Sequence, residues 1–246
     1  MLKHAQSSRC RLLPLALAIP LLFAFVPIAL VATHAQDPSH LFGPKQHYLA
    51  LGDSLAFGFQ PNGDYTHGYV NDLFQLFQNE GTKDVTDYGC GGETSTTFIH
   101  GSCPSAPSST FKQLATAVAY LQTNAGMVSP VTLDIGGNDV LRDIDPRTCT
   151  VNTGQFATDL ATLDSNLTTI ILPQLQAALT VNGRVTGSIV MMNYYDPFQN
   201  ICPASLPFIQ TLNQHLAADV SGFGIIVDVF AAEYNTIGIL YGADVQ

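Results

Sequence analysis

Tyr48-Leu49-Ala50-Leu51-Gly52-Asp53-Ser54-Leu55-Ala56-Phe57-Gly58 begins as an apolar run and breaks abruptly into a small, polar turn. Tyr48 to Leu51 read as a buried strand bounded by a turn signal. Gly52 permits a tight bend, which places Ser54 where the strand gives way to a helix or loop. In open α/β sheets ligands bind beyond the carboxyl ends of the strands, so a hydroxyl at that point is placed for chemistry. The plainer alternative is that Asp53 and Ser54 cap the segment that follows, as Asp and Ser commonly do. The rest of the chain decides between the two.

Downstream, the same punctuation recurs. Val85 to Tyr88 form a second strand that runs into Gly89-Cys90-Gly91-Gly92-Glu93-Thr94-Ser95, and Pro130 to Ile135 a third that ends in Gly136-Gly137-Asn138-Asp139. Ser188 to Asn193 and Gly224 to Asp228 supply a fourth and a fifth strand. Between them lie stretches with helical spacing: Tyr69 to Phe77, Thr110 to Gln122, Gly154 to Leu179 and Leu206 to Val220. The third of these carries Phe156, Leu160, Leu163, Leu167, Ile170, Ile171 and Leu175 on one side, with Pro173 expected to kink it. Strands alternating with helices imply parallel pairing and right-handed crossovers, hence a three-layer α/β/α fold on a five-stranded parallel sheet. After the fifth strand only Val229 to Gln246 remain, and no convincing closing helix is legible there.

Composition narrows the class. A chain of 246 residues with only 11% charged residues fits one α/β domain after removal of a leader. A net charge of −10 argues against a nucleic-acid partner, which would require a basic face. At the N-terminus Lys3, Arg9 and Arg11 precede an apolar run from Leu12 to Val31, and Ala32-Thr33-His34-Ala35 offers small residues before a cut at Gln36. This predicts a secretory signal peptide over residues 1–35, a linker over 36–46 and the folded domain over 47–246. The alternative is a retained membrane anchor through residues 12–32, although Pro14, Pro20 and Pro27 interrupt that run. Outside the leader stand Cys90, Cys103, Cys149 and Cys202, an even set that suggests two disulfides in an oxidising compartment. Three pairings are possible. Cys90–Cys103 would close a short loop and Cys149–Cys202 would tie two loops; four free thiols are the alternative. Their spacing does not suit a zinc site.

Three strand ends thus carry small, glycine-rich turns, and in a parallel sheet these tips lie side by side. A serine nucleophile needs donors aimed at the oxyanion of a tetrahedral intermediate, which glycine N–H groups and an Asn amide can supply. Gly52-Asp53-Ser54-Leu55, then Gly92-Glu93-Thr94, then Gly136-x-Asn138-Asp139 resemble, in order, the motifs of the GDSL or SGNH hydrolase superfamily. Tyr194-Tyr195-Asp196-Pro197 is similar to secreted bacterial members. The resemblance spans roughly residues 47–230. It implies a flavodoxin-like SGNH fold and a serine esterase or lipase that acts through an acyl-enzyme, without cofactor or metal. It assigns Ser54 as nucleophile, and Gly92, Asn138 and the Ser54 N–H as oxyanion donors.

One element of the family pattern has no match. An Asp-x-x-His motif near the C-terminus should supply the general base and the carboxylate that orients it. Asp244 is the candidate Asp, but its partner would fall at position 247, and no histidine follows His215. The expectation is a chain incomplete before this motif and its last helix, and poorly active. His67 and His100 read as loop or surface residues, His47 lies at the far end of the first strand, and His4 and His34 belong to the leader region. Asp228 reads as a turn or cap, Asp134 as structural, and the sequon Asn166-Leu167-Thr168 as part of a helix. The expected partner is a small-molecule, lipid or acylated-glycan ester, taken up by a secreted monomer. Leu55, Ala56, Phe57 and Phe59 suit either an acyl chain or the core. The rival reading, from a different class, is a non-catalytic exported domain that binds an acyl or glycan ligand. A gene product that does not fold stably is the third.

Overall fold

A computed structural model describes residues 41–60 and 62–232 of the chain. The leader, most of the expected linker and Asp244 lie outside the described residues, as do residues 233–246, on which the expectation about a closing helix falls. Among the described residues, no helix is long and apolar enough to cross a membrane.

In chain order the elements are β1 (His47–Gly52), α1 (Tyr69–Gln78), β2 (Asp84–Asp87), α2 (Ser95–His100), α3 (Gln113–Thr123), β3 (Val128–Asp134) and a short α4 (Gly137–Val140). A small hairpin, β4 (Ile144–Asp145) and β5 (Thr150–Val151), leads into α5 (Thr153–Asn166) and α6 (Leu172–Ala178). A second hairpin, β6 (Thr180–Val181) and β7 (Arg184–Val185), precedes β8 (Ile189–Met192), α7 (Leu206–Val220) and β9 (Ile225–Val227). The five long-range strands pair in the order β2-β1-β3-β8-β9, parallel throughout. This is the expected flavodoxin-like order, with its switch point between β1 and β3, where a parallel sheet opens a crevice for ligands.

Alternation along β1 divides the core. Leu49 and Leu51 face the main apolar cluster, packed by α3, α5, α6 and α7, while Tyr48 and Ala50 face α1 through Val70, Leu73, Phe74 and Phe77. Both sides of β1 and β3 are covered, so every residue of β3 is buried. At the β8–β9 edge Val190, Met192 and Ile225 are only half-buried and Val227 is 42% exposed.

The long helix expected over residues 154–179 is divided. Between α5 and α6 the five residues Leu167–Ile171 widen to a π-helical turn, closed by Leu172 N–H donating to the Leu167 carbonyl. Pro173 explains the change, because it has no N–H and its ring displaces the carbonyl four residues earlier. Widening the ladder absorbs both without a break in the helix. Residues 41–46, read as linker, run along the amino-terminal edge of the sheet. Phe42 N–H donates to Ser188 Oγ (2.8 Å), and Lys45 Nζ donates to the Gly126 carbonyl (2.8 Å).

The cysteines form Cys90–Cys103 and Cys149–Cys202, the pairing that closes the shortest loop together with its complement.

Candidate active site

At the carboxyl end of β1 the chain must turn at once, and only glycine fits. Gly52 has φ +140°, and a Cβ there would lie 1.5 Å from Asp134 Oδ1. The turn delivers Asp53 into the interior, where its N–H donates to the Asp134 carbonyl (3.0 Å) and to Asp134 Oδ1 (2.9 Å). Its own carboxylate accepts Leu55 N–H (2.9 Å) and the Tyr194 hydroxyl (2.8 Å). Ser54 follows, half-buried. Asp53 is 3% exposed, and burial pushes its carboxyl up to about 6 against the opposing pull of Leu55, Tyr194 and the Ser54 hydroxyl. Wholly enclosed, Asp134 is pushed well above the carboxylate range by burial, and next by the Asp53 charge.

β2 ends one strand away. Its turn is stapled by Cys90–Cys103 and passes through Gly92 (φ +83°) to the buried Glu93. Thr94 then caps α2, its hydroxyl accepting Thr97 N–H while Thr97 Oγ1 accepts Thr94 N–H (2.9 Å). Cys90, Glu93 and Cys103 lie close enough to suggest a metal, but the two sulfurs are joined to each other and offer no thiolate.

On the other side of β1, the polar turn expected after β3 winds into the short helix α4. Its Asn138 Nδ2 donates to the Glu93 carbonyl (2.9 Å), and Asp139 accepts Ser95 N–H (2.9 Å) and Ser95 Oγ (2.6 Å). Gly137 leaves room for the Tyr194 ring, whose Cε1 would sit 2.6 Å from a Cβ at that position. These bonds tie the β3 tip to the β2 tip across β1.

A pocket of about 90 Å³ opens where the tips meet, lined by Asp53, Ser54, Leu55, Gly137, Asn138, Leu141, Tyr194, Tyr195 and Pro197. Ser54 and Asn138 therefore share one cavity. Gly92 is not among its lining residues and is linked to Asn138 through Glu93. Of the apolar residues after Ser54, Leu55 lines this pocket and Ala56 is buried beside Tyr48. Phe57 and Phe59 are exposed and both meet Tyr65 edge-on. The Ser54 hydroxyl and the Asn138 amide, from the tips of neighbouring strands, thus come to one cavity.

The chain matches the model of the GDSL-like Lipase/Acylhydrolase family over residues 50–236. It belongs to that family. Among solved structures, the lipase Lip_vut3 from a goat rumen metagenome is 18% identical with a TM-score of 0.56, over 75% of this chain and 81% of that one. TesA is 21% identical with a TM-score of 0.47, over 74% of this chain and 77% of that one. Phospholipase A1 from Streptomyces albidoflavus NA297 is 16% identical with a TM-score of 0.46, over 76% of this chain and 81% of that one. No curated protein matches the chain.

The described histidines of this GDSL-family chain sit elsewhere. His47 Nδ1 bonds Asp84 Oδ1 (2.8 Å) at the amino end of β1, and His67 bonds Asp64 (2.5 Å) in an exposed loop. His100 ends α2 on the surface, and His215 on α7 bonds Asp164 (2.9 Å). Among the described residues, no histidine lines the Ser54 pocket. Asp228 behaves as a cap: its carboxylate accepts Ala231 N–H (2.9 Å) at the start of a helical turn over 229–232.

Tyr194 carries no local signal beyond the string Tyr194-Tyr195-Asp196-Pro197, because its bond to Asp53 spans 141 positions. Leu141, which also lines the pocket, carries none that the sequence alone reveals.

Proposed function

We propose that the chain is a carboxylic ester hydrolase whose Ser54 Oγ attacks the ester carbonyl to form an acyl-enzyme. The N–H groups of Ser54 and Gly92 and the Asn138 amide stabilise the oxyanion. The observation that carries this is the shared pocket of Ser54 and Asn138 at the β1/β3 switch point, with Asn138 anchored to the Gly92 turn. Leu55, Leu141, Tyr194, Tyr195 and Pro197 give the pocket an apolar rim suited to the acyl part of an ester. Two disulfides support an exported protein with residues 1–35 as its leader.

Acylation needs a base to take the serine proton, which then protonates the departing alkoxide. A free serine hydroxyl is a weak nucleophile at neutral pH. None of the described histidines, His47, His67, His100 and His215, lines the Ser54 pocket, so the expected turnover is slow. Hydrolysis of p-nitrophenyl acetate and butyrate tests the proposal. The expected result is weak turnover that Ser54→Ala abolishes, that Asn138→Ala lowers ~10²-fold, and that added imidazole accelerates. Robust turnover lost in Ser54→Ala would overturn the shortage of a base, and turnover indifferent to Ser54→Ala would overturn the nucleophile. Heat protection by a long-chain acyl ligand with no turnover would favour the binding-only alternative.

A further inference from the structure

Gln113, the first residue of α3, is wholly buried although its side chain is polar. A buried amide is costly unless its donors and acceptor are all matched, and here they are. Oε1 accepts Gly52 N–H (2.6 Å), and Nε2 donates to the Gly52 carbonyl (2.9 Å) and to Glu93 Oε2 (2.8 Å). The Gly52 carbonyl also accepts Cys90 N–H (3.1 Å).

We propose that Gln113 is a positioning residue for ester hydrolysis, which fixes the nucleophile turn and the oxyanion donors in one register. The proposal rests on the reading of Ser54 as nucleophile. Gly52 is the last residue before the turn, and clamping its N–H and C=O from one amide fixes the peptide planes on both sides of it. Those planes set where Ser54 N–H and Ser54 Oγ point. The same amide holds the Glu93 carboxylate, and the Glu93 carbonyl receives the Asn138 side chain. One side chain therefore ties the β1 tip directly to the β2 turn, and through it to the β3 tip.

Only a carboxamide of this length can do this. Leucine makes none of the three bonds and leaves Gly52 N–H unpaired. An ionised glutamate accepts from Gly52 N–H but repels the Gly52 carbonyl and the Glu93 carboxylate. A protonated glutamate accepts and donates, and recovers two of the three bonds. Burial already pushes the Glu93 carboxyl upward, so a second carboxyl beside it takes up a proton in mild acid.

The test is phosphonylation of the full chain by an alkyl fluorophosphonate with imidazole present, followed by intact mass and by peptide assignment of the modified residue. Each rate is taken relative to wild type at the same pH, and cooperative unfolding of each variant is recorded. Gln113→Leu is expected to label at least roughly tenfold more slowly, with the probe concentration at half-saturation unchanged. Gln113→Glu is expected to be equally slow near pH ~8, and to recover several-fold relative to wild type near pH ~5. If the wild type is not labelled at Ser54, or Ser54→Ala is labelled equally well, the nucleophile reading fails, whatever Gln113 does. If the wild type labels at Ser54 and folded Gln113→Leu labels as fast, the positioning role is wrong while the nucleophile stands. A Gln113→Glu ratio that does not change with pH makes Gln113 a structural latch and overturns the proposal. If Gln113→Leu does not unfold cooperatively, the Gln113→Glu ratio decides alone. Failure of both variants to fold also overturns the role.

Discussion

Tyr194 shows how a single side chain beneath the pocket carries several duties. Its ring packs where Gly137 has no Cβ, and its hydroxyl donates to the buried Asp53 carboxylate. Asp53 needs that donor, because a buried carboxylate is costly without charge-stabilising bonds, and among the described residues its other donors are Leu55 N–H and the Ser54 hydroxyl. Tyr194→Phe keeps the packing and deletes the hydroxyl. The expected loss is about 1–3 kcal/mol of unfolding free energy, since a buried acceptor is left short of a partner. Urea titration with an unchanged slope would establish this. A variant as stable as wild type would show that water or the Ser54 hydroxyl satisfies Asp53 instead.

At the scale of elements, the strands and their tips were legible because their signals are local. Gly52-Asp53-Ser54 and the turn at Gly136 announce themselves by residue types that tight turns favour, and β1 by the continuous apolar run Tyr48 to Leu51. What was not legible depends on partners distant in sequence. Gln113 at a helix start looks like any solvated glutamine until the β1 tip, 61 positions away, is folded against it. The π-helical turn before Pro173 could be anticipated only as a kink, and the two short hairpins are too brief to show periodicity. Disulfide pairing was likewise open until the loops were placed. The two bridges should differ in what they protect. Cys149–Cys202 closes a separation of 53 residues and Cys90–Cys103 one of 13. Loop-closure entropy then assigns about 4 and about 3 kcal/mol to their removal. Function should follow the opposite order, because Cys90–Cys103 staples the turn that carries Gly92. Paired Cys→Ser replacements, compared by urea titration and by rate of Ser54 phosphonylation, should show the larger stability loss for Cys149/Cys202 and the larger rate loss for Cys90/Cys103. The same order in both measurements would contradict the separation of roles.

For the molecule as a whole, the buried acids dictate how stability depends on pH. Burial holds Asp53 up to about 6, and burial followed by the charge of Asp164 holds Asp219 up to about 7. His215 faces the same pair and opposes that shift. A carboxyl whose folded value is raised binds its proton more tightly in the native state than in the unfolded chain. The stability it contributes is complete below the unfolded value near 3.8 and is lost as pH rises through 6 to 7. Asp64 works in the other direction, since Thr66 and His67 hold it down to about 2. Its contribution is present above 3.8 and is lost only as pH falls toward 2, outside that window. A net charge of −10 adds self-repulsion at neutral pH that protonation relieves. Thermal unfolding should therefore move up, on the order of 5 °C, between about pH 8 and about pH 5. Asp53→Asn, which has no proton to exchange, should flatten part of that slope. The slope assigned to Asp53 is wrong if the variant and the wild type keep parallel melting curves across the whole range, and a wild type that melts lower at pH 5 than at pH 8 would show that other acids outweigh the buried ones.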